Sequence, residues 1–220
     1  RKGERAVTAV DGVSFSIDAG EVVGLVGESG CGKSVTSLAI MGLLPKRGVQ
    51  VSGRAEFDGM NLLELKQETL RDIRGRDVAM IFQDPLSSLN PVVPIGVQVT
   101  EVLERHRGMK GEFARREAAQ LLDRVGIPDP RRRLKEYPHQ LSGGMRQRVV
   151  IAMALAGNPK LLFADEATTA LDVTTQAQIM ELLVDLQRRL GMALVLISHD
   201  LGLAASFADE VVVMYAGRAV

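Results

Sequence analysis

Gly27-Glu28-Ser29-Gly30-Cys31-Gly32-Lys33-Ser34 lies between an apolar, β-branched run, Glu21 to Val26, and a helix-compatible run, Ser34 to Leu44, that Pro45 is expected to end. A strand, a glycine-rich loop and a helix in that order fit the phosphate-loop pattern of Gly, four residues, Gly-Lys-Ser. Glycines permit tight backbone geometry, so successive N–H groups and the positive end of the helix can point at phosphate oxygens. Lys33 can then reach the β- and γ-phosphates, and Ser34 supplies a hydroxyl of the kind Mg²⁺ accepts. Cys31 reads as a small loop residue, because the pattern places no general base beside it.

Outward from this loop, Leu161 to Ala164 is an apolar strand that ends on the carboxylates Asp165 and Glu166. Ligands of open α/β sheets sit beyond the carboxyl ends of strands, so Asp165 is placed to hold Mg²⁺ and Glu166 to face a γ-phosphate. His199 follows a similar run, Ala193 to Ile197, and is a candidate for the same phosphate from the next strand end. Val78 to Phe82 and Glu210 to Tyr215 also read as strands, and Thr174 to Leu190 as a helix. Strands alternating with helices predict a parallel sheet with right-handed crossovers. Val13 to Ile17 alternates apolar and polar residues and leads through an Ala19-Gly20 turn into Glu21 to Val26, which reads as two strands joined by a turn; Val51 to Phe57 alternates again, and Asp58-Gly59 is a hairpin signal. A small antiparallel layer is therefore expected as well.

From Val97 to about Ala156 the pattern turns helical, with a charge-rich segment from Gly111 to Val125 and a Pro- and Arg-rich break from Pro128 to Arg133. The expected class is α/β: a P-loop NTPase core with a mostly parallel sheet, a small antiparallel β layer and an inserted α-helical subdomain. The core spans 1–94 and 157–220, and the helical insert spans 95–156. With 220 residues and 46% hydrophobic content, the chain can bury one substantial core. The 27 basic and 27 acidic residues cancel, which argues against a nucleic-acid partner. No apolar run approaches the roughly 20 residues of a membrane span, and no secretory signal is visible. A single cysteine excludes an internal disulfide framework and fits a reducing compartment. The ends, at Arg1 and just after the Tyr215-Ala216-Gly217-Arg218 turn, read as those of a fragment.

Leu141-Ser142-Gly143-Gly144-Met145-Arg146-Gln147 separates this chain from other P-loop proteins, because it resembles the signature motif of ABC (ATP-binding-cassette) proteins. The resemblance covers nearly the whole chain, with Gln83 as the Q-loop, Leu171-Asp172 as the D-loop and His199 as the switch histidine. It implies that Gly27, Glu28, Ser29, Gly30, Cys31, Gly32, Lys33, Ser34 and Val35 contact ATP, and that Ser34, Gln83 and Asp165 serve Mg²⁺. It further implies that Glu166 is the general base, that His199 steadies the γ-phosphate, and that Gln83 senses Mg²⁺ and water. Two cassettes would sandwich two ATP molecules head to tail, with Ser142, Gly143 and Gly144 of each completing the other's site. A serine and two glycines ahead of a helix offer a hydroxyl and backbone N–H groups to a phosphate, although helix capping alone also accounts for Ser142.

A narrower resemblance, to the dipeptide, oligopeptide and nickel importer ATPases, rests on three stretches: Gln83 to Pro91, Tyr137-Pro138-His139-Gln140, and Thr168-Thr169-Ala170-Leu171-Asp172-Val173-Thr174. It implies two transmembrane permease subunits met by the Asp84 to Pro91 segment, an extracytoplasmic solute-binding protein, and a peripheral position on the cytoplasmic face of the inner membrane. Two features depart from the pattern. Arg1 to Asp11 holds no aromatic residue to stack on adenine, leaving Val7 or Val10 as apolar contacts, and residue 167 is Ala where the subgroup commonly has Pro. Two competing readings are a non-transport ABC ATPase acting on ribosomes or DNA, which needs a basic surface, and a P-loop kinase, against which the signature motif argues.

Overall fold

The computed structural model describes residues 7–84, 88–168 and 171–220. Strand β1 (Val22–Gly27) runs through the glycine loop into helix α1 (Lys33–Ile40). The chain then forms a short hairpin, β2 (Glu56–Phe57) and β3 (Met60–Asn61), followed by α2 (Gln67–Ile73) and β4 (Val78–Ile81). A helical stretch follows, with α3 (Ile95–Arg107), α4 (Gly111–Arg124), the single turn α5 (Pro130–Arg133) and α6 (Gly143–Leu155). The chain returns to the sheet with β5 (Leu161–Asp165), α7 (Val173–Leu190), β6 (Ala193–Ser198), α8 (Leu201–Phe207), β7 (Glu210–Tyr215) and β8 (Arg218–Ala219).

Among the described residues the main sheet has the order β4-β5-β6-β1-β7-β8, parallel except for β8. β1, β4, β5 and β6 are apolar at nearly every position because both faces are covered, whereas β7 alternates in burial and β8 is exposed. Side chains alternate between those faces with period two. Leu162 and Ala164 join Ala79, Leu194 and Leu196 in the cluster packed by α3, α4, α6 and α7. Leu161 and Phe163 join Val23, Leu25, Val195 and Ile197 in the cluster on the side of Met41, Leu70 and Ile73. Gly24 lets α8 approach β1, since a Cβ there would lie 3.3 Å from both Ala204 and Ala208.

The structure corrects several details of the sequence reading. Val13, Phe15 and Ile17 are half-buried between exposed neighbours and pack on the α1-side cluster, yet they form no strand. Their alternation records one-sided burial without a ladder partner. Only Glu56–Phe57 of the Val51 to Phe57 run is paired, around Asp58 and Gly59, which both have positive φ as a two-residue hairpin turn needs. Pro45 does not end α1. Gly42, at φ 61, does so in a Schellman arrangement, where the Leu43 N–H donates to Leu38 O at 2.8 Å and the Gly42 N–H to Ala39 O at 2.9 Å. The guanidinium of Arg74 then donates to the freed Met41 and Gly42 carbonyls at 2.6 and 2.8 Å. The Pro- and Arg-rich break holds the α5 turn. Of the stretches that suggested the subgroup, Pro85 to Ser87 and Thr169-Ala170 lie outside the described residues.

Leu162 is fully buried in β5, so Leu162→Ala is expected to cost about 2–5 kcal/mol by lost transfer energy and a residual cavity. Urea denaturation of the two proteins measures the difference.

Candidate active site

The ladders fix where the site lies. Asp165 is level with Ile197, Val26 with Ser198, and Gly27 with Met214, so the carboxyl ends of β1, β5, β6 and β7 share one edge. At β1 the backbone is pressed so tightly that a Cβ on Gly27 would stand 2.2 Å from Met214 O and 2.8 Å from Cys31 Sγ. Only glycine fits this approach. Gly32, at φ 107, begins α1 with no side-chain cap, and a Cβ there would meet Ala9 O at 2.7 Å. The first-turn amides of α1 are thus left for an external anion. Glu28, Ser29 and Gly30 form the exposed loop tip, Cys31 is buried, and Val35 is half-buried one position into the helix from Ser34. The Lys33 ammonium is buried and folds back to donate to Gly27 O at 2.7 Å and Glu28 O at 2.9 Å.

The parity of β5 sends Asp165 to the face of Leu161 and Phe163, the α1 side. There Ser34 Oγ donates to Asp165 Oδ1 at 2.8 Å. Burial pushes the Asp165 carboxyl above its ordinary value, the Ser34 hydrogen bond opposes this, Glu166 adds to it and Lys33 offsets part of it. Glu166 takes a left-handed backbone, φ 45, with its N–H on Ile197 O at 3.0 Å. This bend turns its carboxylate along the edge, where Gln83 Nε2 donates to Oε2 at 2.9 Å and His199 Nδ1 lies 3.5 Å from Oε1. Gln83 and His199 are exposed, while the Glu166 side chain is only 13% exposed. The described part of the site therefore has a half-buried carboxylate held between two solvent-facing groups.

Two supports for this arrangement escaped the sequence reading. Ser198 Oγ accepts the Asp200 N–H at 2.9 Å, and Asp200 caps α8 by accepting the Leu203 N–H at 2.9 Å, so His199 is bracketed on both sides. An aspartate immediately before an apolar helix was the available signal. Gln176 Nε2 donates to Thr168 O at 2.9 Å, tying the loop after Glu166 to α7. Nothing local marks that pair, which is made across a fold-dependent gap.

Ser142, Gly143 and Gly144 stand apart. Ser142 Oγ accepts the Met145 N–H at 3.3 Å as the N-cap of α6. The two glycines face the start of α7: a Cβ on Gly143 would lie 3.4 Å from Leu171, and one on Gly144 2.9 Å from Thr175. Asp172 caps α7, accepting from Thr175 N and Oγ1 at 3.0 and 2.7 Å, and these bonds depress its carboxyl. Among the described residues no hydrogen bond or ion pair ties Ser142 to Lys33, Ser34, Gln83, Asp165, Glu166 or His199. Val10 reaches the loop beside Gly32, whereas Val7 is 88% exposed.

The family profile described as ABC transporter matches residues 10–169. The chain is 54% identical over 215 residues to the oligopeptide transport ATP-binding protein OppD of Bacillus subtilis, covering 97% of this chain and 60% of that protein. It is 57% identical over 212 residues to the dipeptide transport ATP-binding protein DppD of Escherichia coli, covering 96% and 65%. The chain thus spans less than two thirds of the length of these relatives. Among solved structures, an ATP-binding cassette in a dimeric post-hydrolysis state bound to ADP and Pi superposes with TM-score 0.85 at 32% identity, covering 100% of this chain and 91% of that one. A dimeric structure of a bacterial ABC transporter cassette gives 0.84 at 32%, covering 99% and 90%.

Because burial raises the Asp165 pKa, its ionised form destabilises the ligand-free fold. The penalty is absent below the unfolded-state pKa, grows as pH rises through it, and is complete above the folded-state pKa. Asp165→Asn keeps an acceptor for Ser34 and removes the charge. The ligand-free variant is expected to be more stable than the parent at neutral pH, with the gap closing as pH falls below the aspartate range. Urea denaturation across pH measures both.

Proposed function

This chain belongs to the ABC transporter family, and from that membership we propose that it binds and hydrolyses ATP as the nucleotide-binding subunit of a peptide importer. The observation that carries the hydrolytic reading is Glu166, half-buried at the strand edge between Gln83 and His199 and next to the Ser34–Asp165 pair. Phosphoryl transfer to water needs positioning and charge stabilisation more than covalent chemistry, and each group has a part. Lys33 exchanges its bonds to Gly27 and Glu28 carbonyls for β- and γ-phosphate oxygens. The uncapped amides of α1 face the phosphates, with the helix dipole adding to the attraction. Glu166 accepts the proton of the attacking water, while Gln83 and His199 orient the carboxylate and the γ-phosphate.

The donor set fits Mg²⁺. Ser34 and Asp165 present two hard oxygens in contact, Gln83 can supply a third, and the buried Asp165 charge gains from a cation. Mg²⁺ bound there would neutralise charge that develops on the phosphates. Ser142, already a helix cap and joined to Lys33 by no hydrogen bond among the described residues, reads as a contact for the nucleotide of a second cassette. Two copies, or this chain with a similar one, would then form two shared sites, in keeping with the dimeric neighbours.

Peptides as cargo are supported by relatives named for oligopeptide and dipeptide transport. On this reading the partners are two permease subunits and an extracytoplasmic solute-binding protein, and the cassette sits peripherally on the cytoplasmic face of the inner membrane. No helix of the described residues is long and apolar enough to cross a membrane, so contact with the bilayer is left to the permeases.

Glu166→Gln is expected to lower the hydrolysis rate by about 10²–10⁴-fold by removing the base, while ATP binding persists and the cassette elutes as an ATP-dependent dimer. Hydrolysis at the parent rate would refute the assignment. Lys33→Ala is expected to weaken ATP binding by about 1.5–3 kcal/mol, which calorimetry on the full-length chain measures. Uptake of dipeptides, longer peptides and nickel by the assembled complex tests the cargo.

A further inference from the structure

Gln98, in the first turns of α3, is a polar side chain only 6% exposed. Its carboxamide is fully engaged with the turn that precedes the helix. Oε1 accepts the Asn90 N–H at 2.8 Å, and Nε2 donates to Asn90 O at 3.0 Å and Val93 O at 2.7 Å. A buried amide with three good hydrogen bonds to one turn fixes that turn rigidly, because any displacement strands polar atoms out of water. The turn carries Val92, 78% exposed, and lies just beyond Gln83 in the chain.

The same end of α3 is held from the other side. Pro94, the N-cap, offers no side-chain cap. The next amides are taken up by the segment that leads to Ser142: the Ile95 N–H donates to Glu136 O at 2.9 Å and the Gly96 N–H to Leu134 O at 2.8 Å. The approach is so close that a Cβ on Gly96 would lie 2.6 Å from Leu134 O. From Glu136 the chain is kept taut to the α6 cap. The Tyr137 N–H donates to Gln140 Oε1 at 2.8 Å, and the Leu141 N–H to Pro138 O at 3.2 Å.

We propose that Gln98 is a positioning residue that joins the 90–93 turn, the N-terminal end of α3 and the approach to Ser142 into one mechanical unit. Displacing the exposed turn then displaces Ser142. The catalytic consequence rests on the reading of Ser142 as a phosphate contact made in a second cassette. The mechanical link rests on the hydrogen bonds alone.

The test compares the full-length protein with Gln98→Met, which keeps length but loses the amide, and Gly96→Ala, which forces α3 away from Leu134. In Gln98→Met, amide exchange is expected to rise about tenfold in both 90–93 and 137–142, with peptides over Gly27 to Ser34 unchanged. The value of kcat for ATP should fall about tenfold at unchanged KM, because the nucleotide's own loop is intact. Faster exchange confined to 90–93, or an unchanged kcat in an active cassette, would overturn the proposal. If the unsubstituted protein fails to hydrolyse ATP, the functional reading falls, and the exchange pattern still decides the link. If Gln98→Met does not fold, Gly96→Ala must show the rise in both segments, and a rise in one alone overturns it.

Discussion

The parallel ladder that brings the ends of β1, β5, β6 and β7 to one level is the constraint on which the rest of the molecule depends. Asp165 opposite Ile197, Val26 opposite Ser198 and Gly27 opposite Met214 set three loops side by side. A slip of one residue in β5 would turn Asp165 to the far face and Leu162 to the α1 face. Both faces are packed, so the slip is opposed by two clusters at once. Core packing and site geometry are therefore one specification.

That edge carries local costs. Gly27 tolerates no side chain, Glu166 holds a left-handed backbone, and Asp165 is a buried carboxylate driven toward protonation. A left-handed non-glycine residue costs on the order of 1–2 kcal/mol. The surrounding sheet is what maintains these features, through Ile197 O on the Glu166 amide and Ser34 on Asp165. Each feature points chemistry outward: open amides at α1, a hydroxyl beside a carboxylate, and a second carboxylate between an amide donor and an imidazole.

The segments between β4 and β5 are tied to this edge and to one another by hydrogen bonds. Gln83 meets Glu166 directly, and the Gln98 carboxamide and α3 amides bind the 90–93 turn to the segment ahead of Ser142. Ser142 stays on its own helix cap. The Lys33–Ser34 loop and the Ser142 cap are thus held by separate sets of hydrogen bonds.

Local chemistry made much of this legible from sequence. The glycine loop, the strands at 161–165 and 193–198, the Asp58-Gly59 turn and Ser142 as a helix start all follow from period, backbone freedom and capping within a few residues. The resemblance to ABC proteins added a role for Gln83 that no spacing supplies, and strengthened the one that its strand-end position suggested for His199. Tertiary structure decided what depends on how the elements pack, even between residues close in the chain. It left Val13 to Ile17 half-buried without a ladder, stopped α1 at Gly42 with Arg74 closing the carbonyls, and aimed Gln98 and Gln176 at backbone groups across gaps. A sequence determines which surfaces must be buried and where the backbone can turn. Which polar atom meets which is settled only when the packed elements leave each buried amide one place to find a partner.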